Sequence, residues 1–419
     1  MKHIFTLFLI GITVAASAQC AGNRYVKQIF SSSSVTSDII YGNNFDRIGN
    51  ATDLLMDVHE PSGDTETSRP LMIIAHGGNF LGGSKTGTDV LPLCQDFAQM
   101  GYVTASVDYR IGMDGFPFPG PDSTGATEAV IRCYHDMKAA IRYFYWDARE
   151  NGNTYGIDTN MIFISGVSAG AIGAVHVGYL DDVTEIPTYI DTTELGLGGG
   201  VEGLSGNQGY PSAIAGVVNL AGAIRDVAYI EAGDPPILSI HATGDGTVPY
   251  GTAVITLLGA FPIVQVSGSG DIHPQCDAMN ITNCLWSPAG ADHPVHIGSA
   301  PLYDTTAMYM RNFMSSIVCG TTLDCYSTLS IVGMDDLGTD LSGSINVYPN
   351  PVENQINIDL SDAPTGVTSI KMYDALGKVV FQQSTSNERI TIDASKFESG
   401  IYMIDMMGSN WKATKKVVK

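Results

Sequence analysis

Charge is scarce in this sequence, and positive charge scarcer still. Charged residues are 15% of the 419, with 21 lysines and arginines against 43 aspartates and glutamates, a formal net charge of −22. A surface of that sign repels phosphate backbones and anionic lipid, which argues against nucleic acid and acidic membranes as partners. Long apolar runs are missing too. The run over residues 4–16 falls short of the about 20 residues that a membrane-spanning helix needs, so no stable membrane span is expected. There is no H-E-x-x-H and no Cys/His cluster, so no metal site is assigned. Residues 198–203 spell G-x-G-x-x-G, but no strand leads into them and no helix leaves, so no nucleotide cofactor is expected.

What is present is enough apolar material for a large core, 44% of residues, in a chain whose length suits one large domain and one small one. The first residues read as an export signal. Met1-Lys2-His3 is a basic start, the apolar run follows, and Ala16-Ser17-Ala18 fits the small-residue cleavage rule. Residues 1–18 are expected to be removed, leaving Gln19 first. Seven cysteines in an exported chain permit disulfides. Cys276/Cys284 and Cys319/Cys325 are the locally spaced pairs, Cys94 and Cys133 fall in separate predicted helices, and Cys20 stands as a leftover; the connectivity is open. All of the net charge belongs to the first part of the chain, because residues 345–419 hold eight basic and eight acidic residues.

From residue 53 to about 319, short apolar strands alternate with helical stretches. Strands are predicted at 71–75, 102–107, 161–165, 214–220 and 236–240, with a last strand and its exit loop at 286–290. Helices are predicted at 89–100, at 126–145 and from Ala169. Apolar strands separated by helices imply a mostly parallel sheet covered on both faces. Residues 181–213 are polar, rich in Gly, Thr and Asp, and break the rhythm; they are read either as a lid over the site or as a surface loop. Residues 320–344 have linker composition. From Ile345 onward, Ile356, Ile358, Leu360, Ile390 and Ile392 alternate with polar residues, which predicts a small all-β sandwich over 345–419.

Three segments carry chemistry. Gly166-Val167-Ser168-Ala169-Gly170 fits G-x-S-x-G between a strand and a helix, the sharp turn that lifts a serine hydroxyl above a sheet edge. His76-Gly77-Gly78-Asn79-Phe80 follows the 71–75 strand. Its glycines let backbone N–H groups approach a developing oxyanion, so Gly78 and Asn79 are the expected donors together with Ala169. His241-Ala242-Thr243-Gly244-Asp245-Gly246-Thr247-Val248-Pro249-Tyr250 follows the 236–240 strand. It offers Asp245 as the acid that orients a base histidine, with Asp226 in reserve. The base is His293, the first histidine after the last strand and 48 residues beyond Asp245; His296 is the alternative, and His273 precedes that strand.

HGGNF, Asp108-Tyr109-Arg110, GVSAG and the HATGDGTVPY acid turn together resemble the α/β-hydrolase carboxylesterases, and within them the bacterial esterase/lipase group with an HGG oxyanion loop. The resemblance runs from about residue 53 to 296. It implies an α/β-hydrolase domain over 19–319, a covalent acyl-serine on Ser168 and no cofactor, with Asp108-Tyr109-Arg110 structural. Two departures stand out. Asn79 occupies the place of a third glycine, and Asp292, not glycine, directly precedes His293. Val347-Tyr348-Pro349-Asn350-Pro351, Gly400-Ile401-Tyr402 and the terminal Lys415-Lys416-Val417-Val418-Lys419 resemble the C-terminal sorting domain of the type IX (Por) secretion system of the Bacteroidetes. That resemblance implies the type IX machinery as a partner, and release outside the cell or attachment to its surface. The expectation is a secreted serine carboxylic ester hydrolase acting on short-chain or carbohydrate-linked esters, such as acetyl or feruloyl groups on polysaccharide. A lipase or serine peptidase of the same fold and an inactive surface-binding protein are the rivals.

Overall fold

The computed structural model describes residues 20, 23–257, 259, 261–290, 292–325, 339–364, 368–374, 379–407 and 411–419. The expected signal segment 1–18 and residues 326–338 of the expected linker lie outside these. The chain divides into two compact units, Met1–Ile331 and Val332–Lys419.

The first unit opens with an antiparallel pair, β1 (Ser33–Phe45) and β2 (Ala51–Pro61). Then come β3 (Arg69–Ala75), α1 (Leu91–Gln99), β4 (Val103–Val107), α2 (Ser123–Glu150), β5 (Ile157–Val167), α3 (Ala169–Tyr179) and β6 (Gly216–Leu220). After the short β7 (Ala223–Ile224) the chain continues through β8 (Ile237–Ile240), β9 (Thr252–Leu257), β10 (Phe261–Gly268), α4 (Ser269–Ala278), β11 (Asn283–Trp286) and α5 (Ala300–Cys319). The main sheet has the order β1-β2-β4-β3-β5-β6-β8-β11, parallel from β4 through β11. This is the α/β-hydrolase arrangement. Its central strands carry apolar residues on both faces because helices cover both: Ile73 and Ile164 belong to one core cluster, Met72 and Phe163 to the other. Helix α2 starts where Asp122 accepts a hydrogen bond from the Gly125 N–H at 2.9 Å, a side-chain N-cap.

Two expectations need correction, and two questions that the sequence left open are answered. The sheet starts at β1, before residue 53. The last strand is Asn283–Trp286, so it begins before residues 286–290, where strand and exit loop were expected, and 287–290 are the exit loop. Residues 181–213 lie on α2. N–H donors on or beside that helix hold the backbone carbonyls of the segment: Arg110 donates to Gly196 at 2.7 Å, the neutral His135 brings Nε2 to 2.8 Å from the Gly200 oxygen, and Arg142 donates to Glu202 at 2.7 Å and Gly206 at 2.9 Å. Finally, the disulfides are Cys20–Cys319 and Cys284–Cys325, with Cα separations of 5.8 and 5.7 Å. Proximity in space, not in sequence, decides pairing. Cys276, Cys94 and Cys133 are buried and free, and burial pushes the Cys94 and Cys276 thiols up to about 12, which leaves them unreactive.

In the second unit, β12 (Thr339–Asp340), β15 (Thr368–Tyr373), β16 (Val379–Thr385), β18 (Ile401–Met407) and β19 (Trp411–Val418) form one sheet. The other comprises β13 (Asn346–Tyr348), β14 (Gln355–Asp359) and β17 (Arg389–Asp393). Alternate residues of the two, Ile356, Ile358, Ile390 and Ile392 against Ile370 and Ile404, share one core, as period-2 patterning requires. The unit therefore begins its pairing at Thr339, inside the stretch expected as linker.

Candidate active site

Ser168 sits between the end of β5 and the first turn of α3, with φ 52° and ψ −113°. That left-handed conformation is costly for any residue with a Cβ, and the flanking glycines show what enforces it. A Cβ on Gly166 would lie 2.2 Å from Gly170, and one on Gly170 would lie 2.3 Å from the Ala75 carbonyl oxygen at the end of β3. The turn is pressed between its own strand and helix, and only glycine fits on either side of the serine.

His293 Nε2 lies 2.7 Å from Ser168 Oγ, and His293 Nδ1 lies 2.6 Å from Asp245 Oδ2. The carboxylate fixes the proton on Nδ1, which leaves Nε2 free to accept from the serine hydroxyl. Acid and base meet because their loops extend the β8–β11 ladder: the N–H groups of His241, Thr243 and Gly244 donate to the carbonyls of Trp286, Pro288 and Gly290 at 3.1, 3.1 and 2.8 Å. The other histidines are used elsewhere. His296 Nε2 donates to the Asp89 carbonyl at 2.8 Å, and burial lowers its pKa. His273 bonds Asn283 at 2.7 Å. Asp226 caps the exposed turn at residues 227–229.

Asp245 carries more donors than one histidine. Its Oδ1 accepts from the Thr247 and Val248 N–H groups at 2.8 and 3.1 Å. His241, fully buried, brings Nε2 to 3.3 Å from Oδ2 and 3.0 Å from the Val248 carbonyl. A carbonyl only accepts, so Nε2 bears the hydrogen and Nδ1 accepts from Ser269 Oγ, 3.0 Å away. Ser269 in turn receives Asn219 Nδ2 at 3.3 Å, and Asn219 Oδ1 holds the Gly222 N–H at 2.7 Å. Burial pushes the Asp245 pKa up, but hydrogen bonds from His241 and His293 outweigh it and hold the carboxyl well below the usual range. The acid turn was legible in the sequence; His241 as a second partner of its aspartate was not, because Ser269 and Asn219 come from distant segments.

Opposite His293 lies the HGGN loop. Gly78 has φ 122°, Asn79 φ 57° and Phe80 φ 58°, and a Cβ on Gly78 would strike the Gly82 carbonyl at 2.2 Å. The Gly77 N–H is held by Asp89 Oδ2 at 2.8 Å, and His76 stacks on Tyr109, whose hydroxyl donates to the His76 carbonyl at 3.0 Å. Among the described residues, no protein acceptor takes the N–H groups of Gly78 or Asn79. Ala169 is the first residue of α3, where helix geometry leaves the N–H without an intrahelical partner. Asn79, Phe80, Ala169 and Ile172 line a small cleft beside Ser168, closed by Ile255, Leu257 and Ile263 of the β9–β10 hairpin. Gly78 does not line it, and neither does any residue of 181–213. The hairpin is the wall that the sequence reading did not anticipate. Among the described residues, no group of His, Cys, Asp and Glu is arranged to hold a metal ion.

Residues 56–197 match the family model described as BD-FAE, and residues 346–419 match the secretion system C-terminal sorting domain. Carboxylesterase 3 of Homo sapiens is 30% identical over 118 residues, 28% of this chain and 19% of that protein. Lipase 1 of Geotrichum candidum is 29% identical over 136 residues, 31% of this chain and 23% of that one. The chain thus spans about a fifth of the length of the curated relatives it matches. Among solved structures, the propionate-bound Est2 esterase of Thermogutta terrifontis is 21% identical, covering 68% of this chain and 95% of its own, with a TM-score of 0.47. Both segments that carried a resemblance in the sequence therefore match a family model, 56–197 the one described as BD-FAE and 346–419 the secretion system C-terminal sorting domain.

Proposed function

We propose that this chain is an exported serine carboxylic ester hydrolase that works through an acyl-enzyme. The observation that carries the reading is the run of hydrogen bonds from Ser168 Oγ through His293 to Asp245, at 2.7 and 2.6 Å. His293 Nε2 takes the hydroxyl proton as Oγ attacks the ester carbonyl carbon. The electron pair moves onto the carbonyl oxygen, which rests on the N–H groups of Gly78, Asn79 and Ala169. The tetrahedral centre collapses, the bond to the alcohol oxygen breaks, and the alcohol leaves with the proton from His293. Water then adds by the same steps, releases the acid and restores the Ser168 hydroxyl. The 346–419 domain would deliver the chain through the type IX machinery to the cell surface or beyond, where short-chain and carbohydrate-linked esters are within reach.

The test is hydrolysis of p-nitrophenyl esters, acetate to palmitate, by the wild-type chain and Ser168→Ala. The expected result is turnover that the variant loses by about 10⁴-fold or more in kcat. Serine-dependent cleavage of anilides without ester turnover would instead mark a peptidase. No serine-dependent turnover of either kind would leave the site without this chemistry.

A further inference from the structure

Ester cleavage requires two loops to act on one carbon atom. The carbonyl oxygen has to meet the backbone donors of the HGGN loop. The departing oxygen, bonded to the same carbon, has to meet His293 Nε2. The spacing between donors and base must therefore be fixed, since misplacement by about 1 Å can cost about 10²-fold in rate.

Asp89, two residues before α1, bonds to both loops. Its Oδ2 accepts the Gly77 N–H at 2.8 Å. Its backbone carbonyl accepts His296 Nε2 at 2.8 Å, from 207 residues further along the chain. Neither bond touches a reacting group; each acts one step away. The Gly77 N–H belongs to the His76–Gly77 peptide, whose carbonyl takes the Tyr109 hydroxyl at 3.0 Å, so that peptide is held at both ends. In the next peptide the Gly77 carbonyl lies 2.6 Å from His76 Nδ1, which must bear the hydrogen because a carbonyl only accepts. The N–H of that peptide is the Gly78 donor, and in a planar trans peptide it points away from the carbonyl. There is little room for the loop to shift. A Cβ on Gly77 would lie 3.3 Å from Asp89 Oδ2 and 3.3 Å from Ser168 Cβ.

On the other side, His296 is three residues past His293 and buried. Nε2 carries its hydrogen, and Nδ1 is buried with no hydrogen-bond partner among the described residues. An unmet buried nitrogen costs stability, so an apolar ring would fill the same place at less cost. The bond to Asp89 is what the histidine adds. Val90 and Val295, the chain neighbours of the two partners, belong to one core cluster, so packing backs the bridge from both sides.

We propose that Asp89 is a positioning residue of the hydrolytic reaction. Its carboxylate steadies the loop that presents the Gly78 donor, and its carbonyl, through His296, sets His293 at a fixed distance from that donor. The inference rests on the esterase reading and adds a part to its site.

The experiment compares Asp89→Ala, Asp89→Asn, His296→Phe and His296→Gln with wild type, all as the full-length chain, on the p-nitrophenyl ester that is turned over best. Each rate is divided by the amount of serine titrated with a phosphonate inhibitor, which removes losses due to misfolded protein alone. Asp89→Ala is expected to lower kcat and kcat/KM together, by about tenfold or more. Asp89→Asn keeps an oxygen that accepts the Gly77 N–H and should stay within about threefold of wild type. His296→Phe should lose rate in the same way, and His296→Gln, which keeps an N–H donor, should recover part of it. Wild-type kcat per titrated serine in Asp89→Ala, a loss in Asp89→Asn as large as in Asp89→Ala, or a rise in KM at unchanged kcat would overturn the inference and leave the esterase reading standing. Should Asp89→Ala fail to fold, His296→Phe at the wild-type rate would overturn it equally. No serine-dependent ester turnover by the wild-type chain would overturn both.

Discussion

Toward His293, Ser168 faces a run of buried polar groups, each handed on to the next: Asp245, His241, Ser269, Asn219. Toward Ile172 it faces carbon: Phe80, Met113, Ile255, Ile263. The two sides lie within one fold and one low-dielectric interior, yet they are built on opposite rules. Acyl transfer develops charge at the serine oxygen, the imidazole and the carbonyl oxygen, and nowhere along an acyl chain. Fixed dipoles are useful only where charge appears. Elsewhere a polar group would be an unsatisfied burden. The contrast teaches that the site is divided by where charge moves.

The largest effect is expected on the polar side. Asp245→Asn keeps the shape but cannot hold the Nδ1 proton of His293 or stabilise the imidazolium that forms. We expect kcat to fall about 10⁴-fold with little change in KM, measured on whichever ester is turned over best. A loss of only a few-fold would mean that His293 is oriented by its loop and not by the carboxylate.

His241 should matter less, but in a way that packing alone does not predict. His241→Leu removes a donor to a charged group, and such bonds contribute about 1.5–3 kcal/mol, which corresponds to roughly 10- to 100-fold in kcat/KM. His241→Gln keeps an N–H donor and should recover part of it. Acid stability gives a second readout. Asp245 is held low in the folded protein, below its ordinary value of 3.8. Such a carboxyl contributes stability at pH above the unfolded value of about 3.9, and loses it as pH falls through the folded value. Without His241 the folded value rises, so that contribution shrinks and the acid-unfolding midpoint moves to higher pH. Wild-type kcat/KM and an unmoved midpoint in His241→Leu would reduce the ring to a space filler.

The sequence revealed the polar side better than the apolar one, for a physical reason. Ser168 and the HGGN loop sit in turns whose glycines are demanded by close contacts within a few residues or across one strand, so local pattern carries them; Gly246 beside Asp245 faces open space, and there the preceding strand and the Val248-Pro249 that follows carried the signal. His293 and His296 are three residues apart behind the same strand; only the Asp89 carbonyl, more than 200 residues earlier in the chain, takes His296 out of contention. The disulfides were invisible for the same reason, since Cys20 and Cys319 are 299 residues apart. The hairpin wall had a signal that went unread: two β-rich runs, Thr252–Leu257 and Phe261–Gly268, around Gly259, a hairpin pattern. Residues 181–213 drew attention as polar and irregular, but their polarity serves the clamp on α2.

Asn79 stands on the seam between the two sides, and its substitution should have the smallest effect. It holds φ 57°, and asparagine tolerates that region better than other residues with a Cβ. Asn79→Gly relieves the backbone but frees the unfolded chain, so stability should change by no more than about 1 kcal/mol. If the backbone N–H is the donor to the oxyanion, it survives the change, and kcat should stay within about threefold of wild type, some 0.6 kcal/mol. A fall of about 100-fold or more would assign the donor to the side-chain amide. The polar side would then reach one residue further round the cleft.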